Sequence, residues 1–392
     1  MARAMVLETS TKDSPEGNLP GRILRSSMEA VRRPLDKAVT LPTRAYTSEE
    51  FFRHEVDKVF MRSWLHVGRA SQVPNPYDFF TITRFDERII VVRDKDGVLH
   101  ALSATCRHRG FPVADGSGNC SKTRGFVCPY HGWAYRADGS LAAAPFMQKG
   151  FDASASRLPE FGIDVWQGFI FINFDAAAPK LSPQLKTVDK VMDPFNLSAM
   201  GSGPLRRLDW PGNWKAMLDN FTEAYHQPLI HSKTFEPMSP ARLAVYEDID
   251  GPYNLYWLPS ANGEPFPTLY PPIKGLPERL ASSFLVVNIF PYFHMFIDAS
   301  CIISLDMDIR SANDLRGIWD VHVPAEVAAA PDFEEKTTTF MKLLMPIFDE
   351  DEGACREVRY GQRSRFAEQG AFSWMEKSVH QLHSWLADRY LD

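Results

Sequence analysis

Alternation of apolar and polar residues predicts short β-strands between residues 77 and 175. Runs with this period of two begin at Phe79, Ile89 and Gly168, and turn sequences such as Asp94–Gly97 separate them. This order predicts a small antiparallel β-domain. A further alternation between residues 301 and 310 has the same period and predicts a half-buried strand in a second domain.

Helical spacing of apolar residues replaces this alternation elsewhere in the second half. Helices are expected near 212–227, 333–348 and 373–390. Further strands are expected near 204–210, 284–297, 301–310 and 316–323. The mixture predicts an α+β fold, in which helices cover a curved antiparallel sheet in the larger, second domain. We predict three parts: a loosely held N-terminal arm (1–42), a small β-domain with a leading helix from Ser48 to about Trp64 (43–177), and the larger domain (178–392).

Composition narrows the class of protein. The 392 residues are 44% hydrophobic and 23% charged, which is typical of soluble globular chains. The net charge of −6 provides no overall basic field for nucleic acid or an anionic membrane. The most apolar stretch, 284–297, is too short and too interrupted to cross a bilayer. No apolar segment follows the first basic residues, so we expect no signal peptide and a cytoplasmic location.

Two short segments each combine a cysteine with a histidine. They read CRHRG (106–110) and CPYHGW (128–133). A [2Fe–2S] cluster with two thiolates on one iron and two imidazoles on the other needs such mixed pairs, because each loop then gives one ligand to each iron. A structural zinc site is the alternative. The candidate ligands are Cys106, His108, Cys128 and His131.

A second set of metal ligands is suggested by the segment NWKAMLDNFTEAYHQPLIH (213–231). His226 and His231 are five residues apart, and Pro228 between them disfavours an unbroken helix. A bend at that point would let both imidazoles turn toward one metal ion. Two histidines and one carboxylate form the facial triad that holds Fe(II) with open positions. The acidic run at 349–352 is the best source of the carboxylate.

Together these motifs resemble those of the large, oxygenase (alpha) subunit of Rieske non-haem iron oxygenases, over roughly residues 43–390. The resemblance implies a [2Fe–2S] cluster and a mononuclear Fe(II) as cofactors. It also implies that Glu223, three residues before His226, relays electrons. Aligned with the family's C-terminal pattern, CREVRYGQRS puts Asp351 at the ligand position, while Glu352 and Asp349 remain alternatives.

The resemblance further implies an enzyme that oxidises its substrate with O2 and NAD(P)H-derived electrons. Electrons would pass between subunits of a homotrimer, in which His131 of one subunit faces Glu223 and His226 of its neighbour. No Gly-x-Gly-x-x-Gly motif follows a predicted strand, so a separate ferredoxin or flavin reductase must supply the electrons. Basic residues in the cluster region could attract such a donor: Arg107, Arg109, Lys122 and Arg124.

The substrate is expected to be a small hydrophobic molecule, aromatic or N-alkylated, with no role for nucleic acid or membrane. The candidate substrate contacts are Leu218, Phe221, Asn288, Phe290 and His294. Monooxygenation, as N- or O-dealkylation or hydroxylation, is the leading interpretation, and cis-dihydroxylation of an arene is the alternative. Two other classes remain open, a Rieske-type electron-transfer protein without oxygenase activity and a zinc-stabilised binding module.

Overall fold

A computed structural model of the protein describes residues 18–392, and that part of the chain contains two seven-stranded antiparallel sheets. A three-stranded sheet accompanies the first of them. Helices pack on the second sheet, so the predicted α+β class is confirmed. In residues 18–392, none of the helices combines the length and the apolar character that crossing a bilayer requires.

The N-terminal segment is packed against the body of the protein from residue 18 onward. Met28 and Val31, three residues apart on one helical face, are fully buried against the last helix of the chain. The prediction of a loosely held arm is therefore wrong for residues 18–42, and its residues 1–17 lie outside the described part. The elements here are β1 (Asn18–Leu19), β2 (Ile23–Leu24), α1 (Arg25–Val31), α2 (Arg44–Thr47) and α3 (Glu49–Lys58).

The β-domain follows. Its strands are β3 (Leu65–Arg69), β4 (Asp78–Arg84), β5 (Glu87–Arg93), β6 (Leu99–Ser103), β7 (Ser117–Asn119), β8 (Gly125–Val127), β9 (Ala134–Arg136), β10 (Leu141–Ala143), β11 (Glu160–Trp166) and β12 (Phe169–Asn173). The large sheet has the order β3-β12-β11-β6-β5-β4-β7, and the small sheet has the order β10-β9-β8. Strand β5 is buried on both faces, because Ile89 and Val91 face one core while Ile90 and Val92 face another. The small sheet adjoins the loops that carry the cysteine–histidine pairs.

The second domain is built on the order β13-β19-β18-β17-β16-β15-β14. Its elements are α4 (Lys186–Met192), β13 (Gly201–Trp210), α5 (Trp214–Phe221), α6 (Gln227–Ile230), β14 (Val245–Tyr246), β15 (Tyr253–Pro259), α7 (Glu278–Ala281), β16 (Ser283–Ile289), β17 (Phe293–Ile297), β18 (Ile302–Ser311), β19 (Asp314–Val323), α8 (Ala325–Ala328), α9 (Phe333–Gln362) and α10 (Lys377–Leu391). The expected strand at 284–297 is a hairpin, and the expected helix at 333–348 continues to Gln362.

Helix α3 joins the N-terminal part of the chain to the second domain. Glu55 on α3 is fully buried and accepts hydrogen bonds from Lys215 Nζ at 2.8 Å and Trp214 Nε1 at 2.9 Å. The Tyr390 hydroxyl on α10 donates to the same carboxylate. The leading helix, assigned by the sequence to the β-domain, thus anchors the start of α5, the helix that leads to the histidine pair.

Candidate metal centres

The two cysteine–histidine loops have the same backbone geometry. Gly110 donates its N–H to the carbonyl of Cys106 at 2.9 Å, and Gly132 donates to the carbonyl of Cys128 at 3.0 Å. Both glycines have positive φ, 74° and 73°, which a residue with a Cβ adopts only with strain. The glycines that follow each pair in the sequence are therefore required by the turns.

The loops bring the four predicted ligands together. Cys106 and Cys128 are buried, while His108 and His131 lie at the surface with their Nδ1 atoms 3.2 Å apart. Burial, with Cys106 nearby, raises the pKa of Cys128. Two buried, adjacent thiols are poorly placed to ionise alone, whereas a bound metal deprotonates them. The donor set and its burial therefore fit a [2Fe–2S] cluster with its histidine side toward solvent.

Tyr135 supports the cysteine side of this site. Its hydroxyl oxygen accepts the N–H of Arg107 at 2.9 Å and lies 3.3 Å from the Cys106 sulfur. With that acceptor position filled, the hydroxyl hydrogen is free to point at the sulfur. Hydrogen bonds to ligand sulfurs raise the reduction potential of such clusters. Sequence reasoning missed Tyr135, because only the folded loop shows what lies beside the cysteine.

The histidine pair flanks the short helix α6, and the break in the helical path lies between α5 and α6, before His226, not at Pro228 as the sequence predicted. Helix α5 ends at Phe221, and α6 begins at Gln227 with Pro228 in its first turn. His226 immediately precedes α6 and His231 immediately follows it. One helical turn connects the two histidines, since Ile230 and His231 donate their N–H groups to the carbonyls of His226 and Gln227. Pro228 is tolerated in the first turn of that helix, and the centroids of the two histidine rings lie 5.0 Å apart.

Asp351 completes the group. Its Oδ1 atom is 3.0 Å from His231 Nε2 and 3.5 Å from His226 Nε2, and the three candidate ligand atoms all lie within 4.8 Å of one another. Burial disfavours a charged imidazole, but the carboxylates of Asp351 and Glu223 outweigh it and raise the pKa of His226 to about 10. The surroundings thus favour positive charge at this point, as a divalent iron would supply. Two imidazoles and one carboxylate fit the facial triad.

Further carboxylates hold the outer nitrogens of both rings. Glu223 contacts His226 Nδ1 and accepts the His226 N–H at 3.1 Å. Glu350 lies 2.8 Å from His231 Nδ1 and accepts a 2.7 Å hydrogen bond from Thr234. Such partners fix the ring orientation and leave Nε2 to face the metal. Glu350 was not singled out from the sequence, although it is the immediate neighbour of Asp351.

The alternative acids on α9 point elsewhere. Successive helical residues are about 100° apart, so one acid in a run of four can face the histidines directly. Asp349 is largely exposed and lies 3.7 Å from Arg206. Glu352 pairs with Arg356 at 2.5 Å and lies 3.9 Å from Arg206. Of the three predicted alternatives, the structure brings Asp351 to the histidine pair.

An apolar cavity of about 250 Å³ opens beside the triad. Helix α9 forms one side, and the second-domain sheet forms the other. Its lining residues are Asn220, Phe221, Glu223, His226, Gln227, His231, Phe235, Met238, Tyr256, Leu258, Pro267, Leu269, Phe284, Phe296, Asp298, Cys301, Ile303, Phe340, Leu343, Leu344, Ile347, Phe348 and Asp351. Walls of this kind suit a hydrophobic ligand with few polar groups.

The predicted substrate contacts need correction. Phe221 lines the cavity, but Leu218, Asn288, Phe290 and His294 do not. Leu218 is a residue of α5 whose side chain is buried in the core. Phe290, in the β16–β17 turn, packs on Trp385 of α10. Asn288 and His294 pair across β16 and β17 and are fully buried, and burial lowers the pKa of His294 to about 3. Their position as polar residues in an apolar stretch predicted contact with substrate, but the sequence does not show how far along the sheet the cavity extends.

Residues 197–392 match the ring hydroxylating alpha subunit (catalytic domain) family, and residues 63–162 match the Rieske [2Fe-2S] domain. A carnitine monooxygenase oxygenase subunit from Acinetobacter pittii (strain PHEA-2) is 34% identical over 200 residues, which are 49% of this chain and 52% of that protein. The match thus spans about half the length of that relative. Choline monooxygenase, chloroplastic, from Arabidopsis thaliana is 26% identical over 378 residues, covering 89% of this chain and 82% of that protein.

Solved structures share the whole architecture. A quaternary ammonium Rieske monooxygenase superposes with a TM-score of 0.76 at 22% identity, covering 94% of this chain and 99% of that one. Naphthalene 1,2-dioxygenase superposes with a TM-score of 0.72 at 19% identity, covering 92% and 95%. The resemblance and the two predicted cofactors are confirmed: the chain belongs to the ring-hydroxylating oxygenase alpha-subunit family, which joins a Rieske [2Fe–2S] domain to a catalytic domain that binds mononuclear iron.

Proposed function

We propose that this protein is a terminal oxygenase component that monooxygenates a small hydrophobic substrate. Its cluster ligands would be Cys106, His108, Cys128 and His131, and its mononuclear iron ligands would be His226, His231 and Asp351. When bound, the two metal groups supply single-electron delivery and activation of O2. The proposal is supported chiefly by one observation: all three triad residues line the apolar cavity.

The cavity argues against the other classes. A protein that only carries electrons has no use for a second metal group opening into an apolar cavity. A zinc-stabilised binding module would not explain why two separate donor sets, one with thiols and one without, lie on different domains. An oxygenase needs both features, because substrate must lie beside the metal that holds O2.

The chain's own residues would prepare this site. Glu223 and Glu350 hold the Nδ1 sides of His226 and His231, so both Nε2 atoms point inward. The apolar walls keep water away from the substrate and strengthen electrostatic interactions inside. A substrate seated in the cavity would lie beside the triad, because the three triad residues form part of the cavity wall.

Electron delivery would occur between subunits. His131 is exposed at the cluster, and Glu223 contacts the ligand His226, so a neighbour's His131 could approach Glu223 from outside. Exposed apolar residues lie at both places, Tyr130 beside His131 and Leu229 near His226, with exposed fractions of 52% and 85%. Two different faces that join head to tail form a ring when the rotation between subunits closes, and we propose a homotrimer of this kind. One similar structure is described as showing inter-subunit electron transfer.

The electron donor would be a separate ferredoxin or flavin reductase. Arg107, Arg109, Lys122 and Arg124 are all exposed around the cluster loops, although the whole chain carries a net charge of −6. A local basic surface steers an acidic partner toward the cluster.

The relatives named for monooxygenation of carnitine and choline support insertion of a single oxygen atom, by hydroxylation or by dealkylation at nitrogen or oxygen. The arene dioxygenase fold match keeps cis-dihydroxylation as the alternative. Turnover with ¹⁸O₂ separates the two: one labelled atom in the product is expected, and two would overturn monooxygenation.

Metal analysis tests the two-site assignment. Purified protein should hold about three irons per chain, two of them in the cluster. His226→Ala should lower the count to about two and abolish oxygenation while the visible absorption of the cluster persists. His54→Ala, at a histidine outside both sites, is the control and should keep all three. Loss of the cluster spectrum in His226→Ala, or full iron content with full activity, would refute the assignment.

The relay role of Glu223 needs a kinetic readout. Glu223→Gln, kept in excess Fe(II) so that about three irons per chain stay bound, should slow reoxidation of the reduced cluster in a single turnover, and Glu223→Asp should restore part of the rate. Unchanged reoxidation in Glu223→Gln would remove Glu223 from the electron path.

A further inference from the structure

The charged residues of the cavity are all acidic apart from the histidine pair. Among the described lining residues there is no lysine and no arginine. Three carboxylates line it: Glu223 and Asp351 at the metal end, and Asp298 on the sheet side, in the turn between β17 and β18. The function proposed above gives Asp298 no part.

The turn uses one oxygen of the Asp298 carboxylate. Oδ1 accepts hydrogen bonds from the Ser300 N–H at 2.6 Å, the Ser300 hydroxyl at 2.8 Å and the Cys301 N–H at 2.8 Å. The other oxygen, Oδ2, lies 3.6 Å from the sulfur of Cys301, whose thiol is a weak hydrogen-bond donor. Turn formation therefore explains one oxygen of this carboxylate and leaves the other for the cavity.

A carboxylate in these surroundings lacks a countercharge. Burial raises the pKa of Asp298, so its charge is held at a cost that a nearby cation would offset. The neighbouring lining residues, Cys301 and Ile303, supply none. The cation would have to come with the ligand.

Aromatic rings form much of the remaining wall. They are Phe221, Phe235, Tyr256, Phe284, Phe296, Phe340 and Phe348. The faces of such rings attract organic cations, and sites that bind quaternary ammonium groups are built in this way. A small hydrated metal cation would lose its water shell here without gaining enough ligands, so an alkylated ammonium is the better match.

We propose that Asp298 is a specificity-determining residue that pairs with a protonated or quaternary amine of the substrate, and that the cavity rejects substrates bearing a carboxylate. This inference rests on the proposed function and narrows its substrate class. It separates the chain from its carnitine-oxidising relatives, because Asp298 would repel the carboxylate of carnitine and the described lining residues include no lysine or arginine to pair with it.

Calorimetric titration of the iron-loaded protein tests this without turnover. The probes are benzyltrimethylammonium, its uncharged carbon isostere neopentylbenzene, and L-carnitine. We expect benzyltrimethylammonium to bind at least about tenfold more tightly than either of the others, the scale of one close charge pair in a partly buried site. Equal binding of the cation and its isostere, or tighter binding of carnitine, would overturn the proposal.

Asp298→Asn is the decisive variant, because its amide oxygen can keep the turn bonds while the charge is lost. Its affinity for benzyltrimethylammonium should fall about tenfold, and its affinity for neopentylbenzene should change less than about twofold. Asp152→Asn is the matched control, since Asp152 makes the same bonds to Ser154 on the surface. An unchanged affinity of Asp298→Asn for the cation would refute the role of Asp298.

The two proposals fail in different ways. If the wild-type protein bound the cation as expected but consumed no O2 with any amine, the proposed function would fail while the binding inference stood. If Asp298→Asn unfolded, shown by a lowered melting temperature, the wild-type ratio of cation to isostere would still decide the charge preference.

Discussion

The buried hydrogen-bonded group around Glu55 joins the N-terminal segment to α5, and the stability of this group can be predicted quantitatively. Glu55 receives hydrogen bonds from Lys215, Trp214 and Tyr390, and both members of the Glu55–Lys215 pair are fully buried. Burial lowers the pKa of Lys215, and Glu55 opposes that shift. The charge on Lys215 therefore depends on its partner.

Glu55→Met and Lys215→Met should not cost the same. Removing one member of a buried pair costs about 3–5 kcal/mol, because the other charge is left uncompensated. Glu55→Met also leaves the Trp214 N–H and the Tyr390 hydroxyl without an acceptor, at about 1–3 kcal/mol each. Lys215→Met leaves the carboxylate with two donors. The expected loss is therefore about 2 kcal/mol or more greater for Glu55→Met than for Lys215→Met.

The double variant gives the sharper test. Once Glu55 is absent, replacing the stranded ammonium by Met removes a buried charge, so the double variant should be more stable than Glu55→Met alone. Equilibrium unfolding in guanidinium chloride, followed by far-ultraviolet circular dichroism, gives the three free energies of unfolding. Equal losses for the two single variants, or a double variant whose loss is their sum, would contradict this account of the pair.

Three further outcomes follow from the structure. Glu350→Gln should weaken iron binding at the triad by about 10–100-fold while the cluster absorption is unchanged, whereas Glu352→Gln should leave both metals bound; iron analysis after dialysis checks this. The carboxylates beside His100 outweigh its burial and raise its pKa, so it stabilises the fold below about pH 6.5 and loses that contribution as pH rises through the higher folded value. His100→Gln should therefore lower the melting temperature more at about pH 6 than at about pH 8, and an equal decrease at both would contradict the assignment. Met28→Ala should cost about 2–5 kcal/mol of stability, measured by chemical denaturation, and a loss below about 0.5 kcal/mol would mean that the segment packs loosely.

The chemistry could be read from the sequence where it depends on neighbours along the chain. CRHRG and CPYHGW each form a single tight turn, so their spacing carries the geometry of the cluster loops. Pro228 did not mark a break between the two histidines, because proline is tolerated in the first turn of a helix and α6 runs between them. Asp351 could be chosen among its neighbours only by analogy, because the direction of one helical residue depends on how α9 packs.

The cavity could not be read in this way. Its walls come from α9, the sheet and two loops, and their meeting depends on tertiary packing. Asn288 and His294 interrupt an apolar stretch, and this pattern predicts substrate contacts. In the structure Phe221 and Phe296 pack against His294 and line the cavity in its place. The packing of segment 18–42 could not be predicted from the sequence, because its few buried residues lie among many charged residues.

Helix α9 carries both the cavity wall from Phe340 to Phe348 and, one turn later, Asp351. Substitutions that reshape this wall therefore also act on the helix that positions Asp351, the proposed iron ligand. Phe235 and Met238 follow closely after His231, but Pro267 and Leu269, before α7, line the same cavity from a stretch that holds no proposed iron ligand. A mutagenesis library aimed at new substrates should concentrate on those loop positions, where selectivity can change with the least disturbance of the catalytic iron.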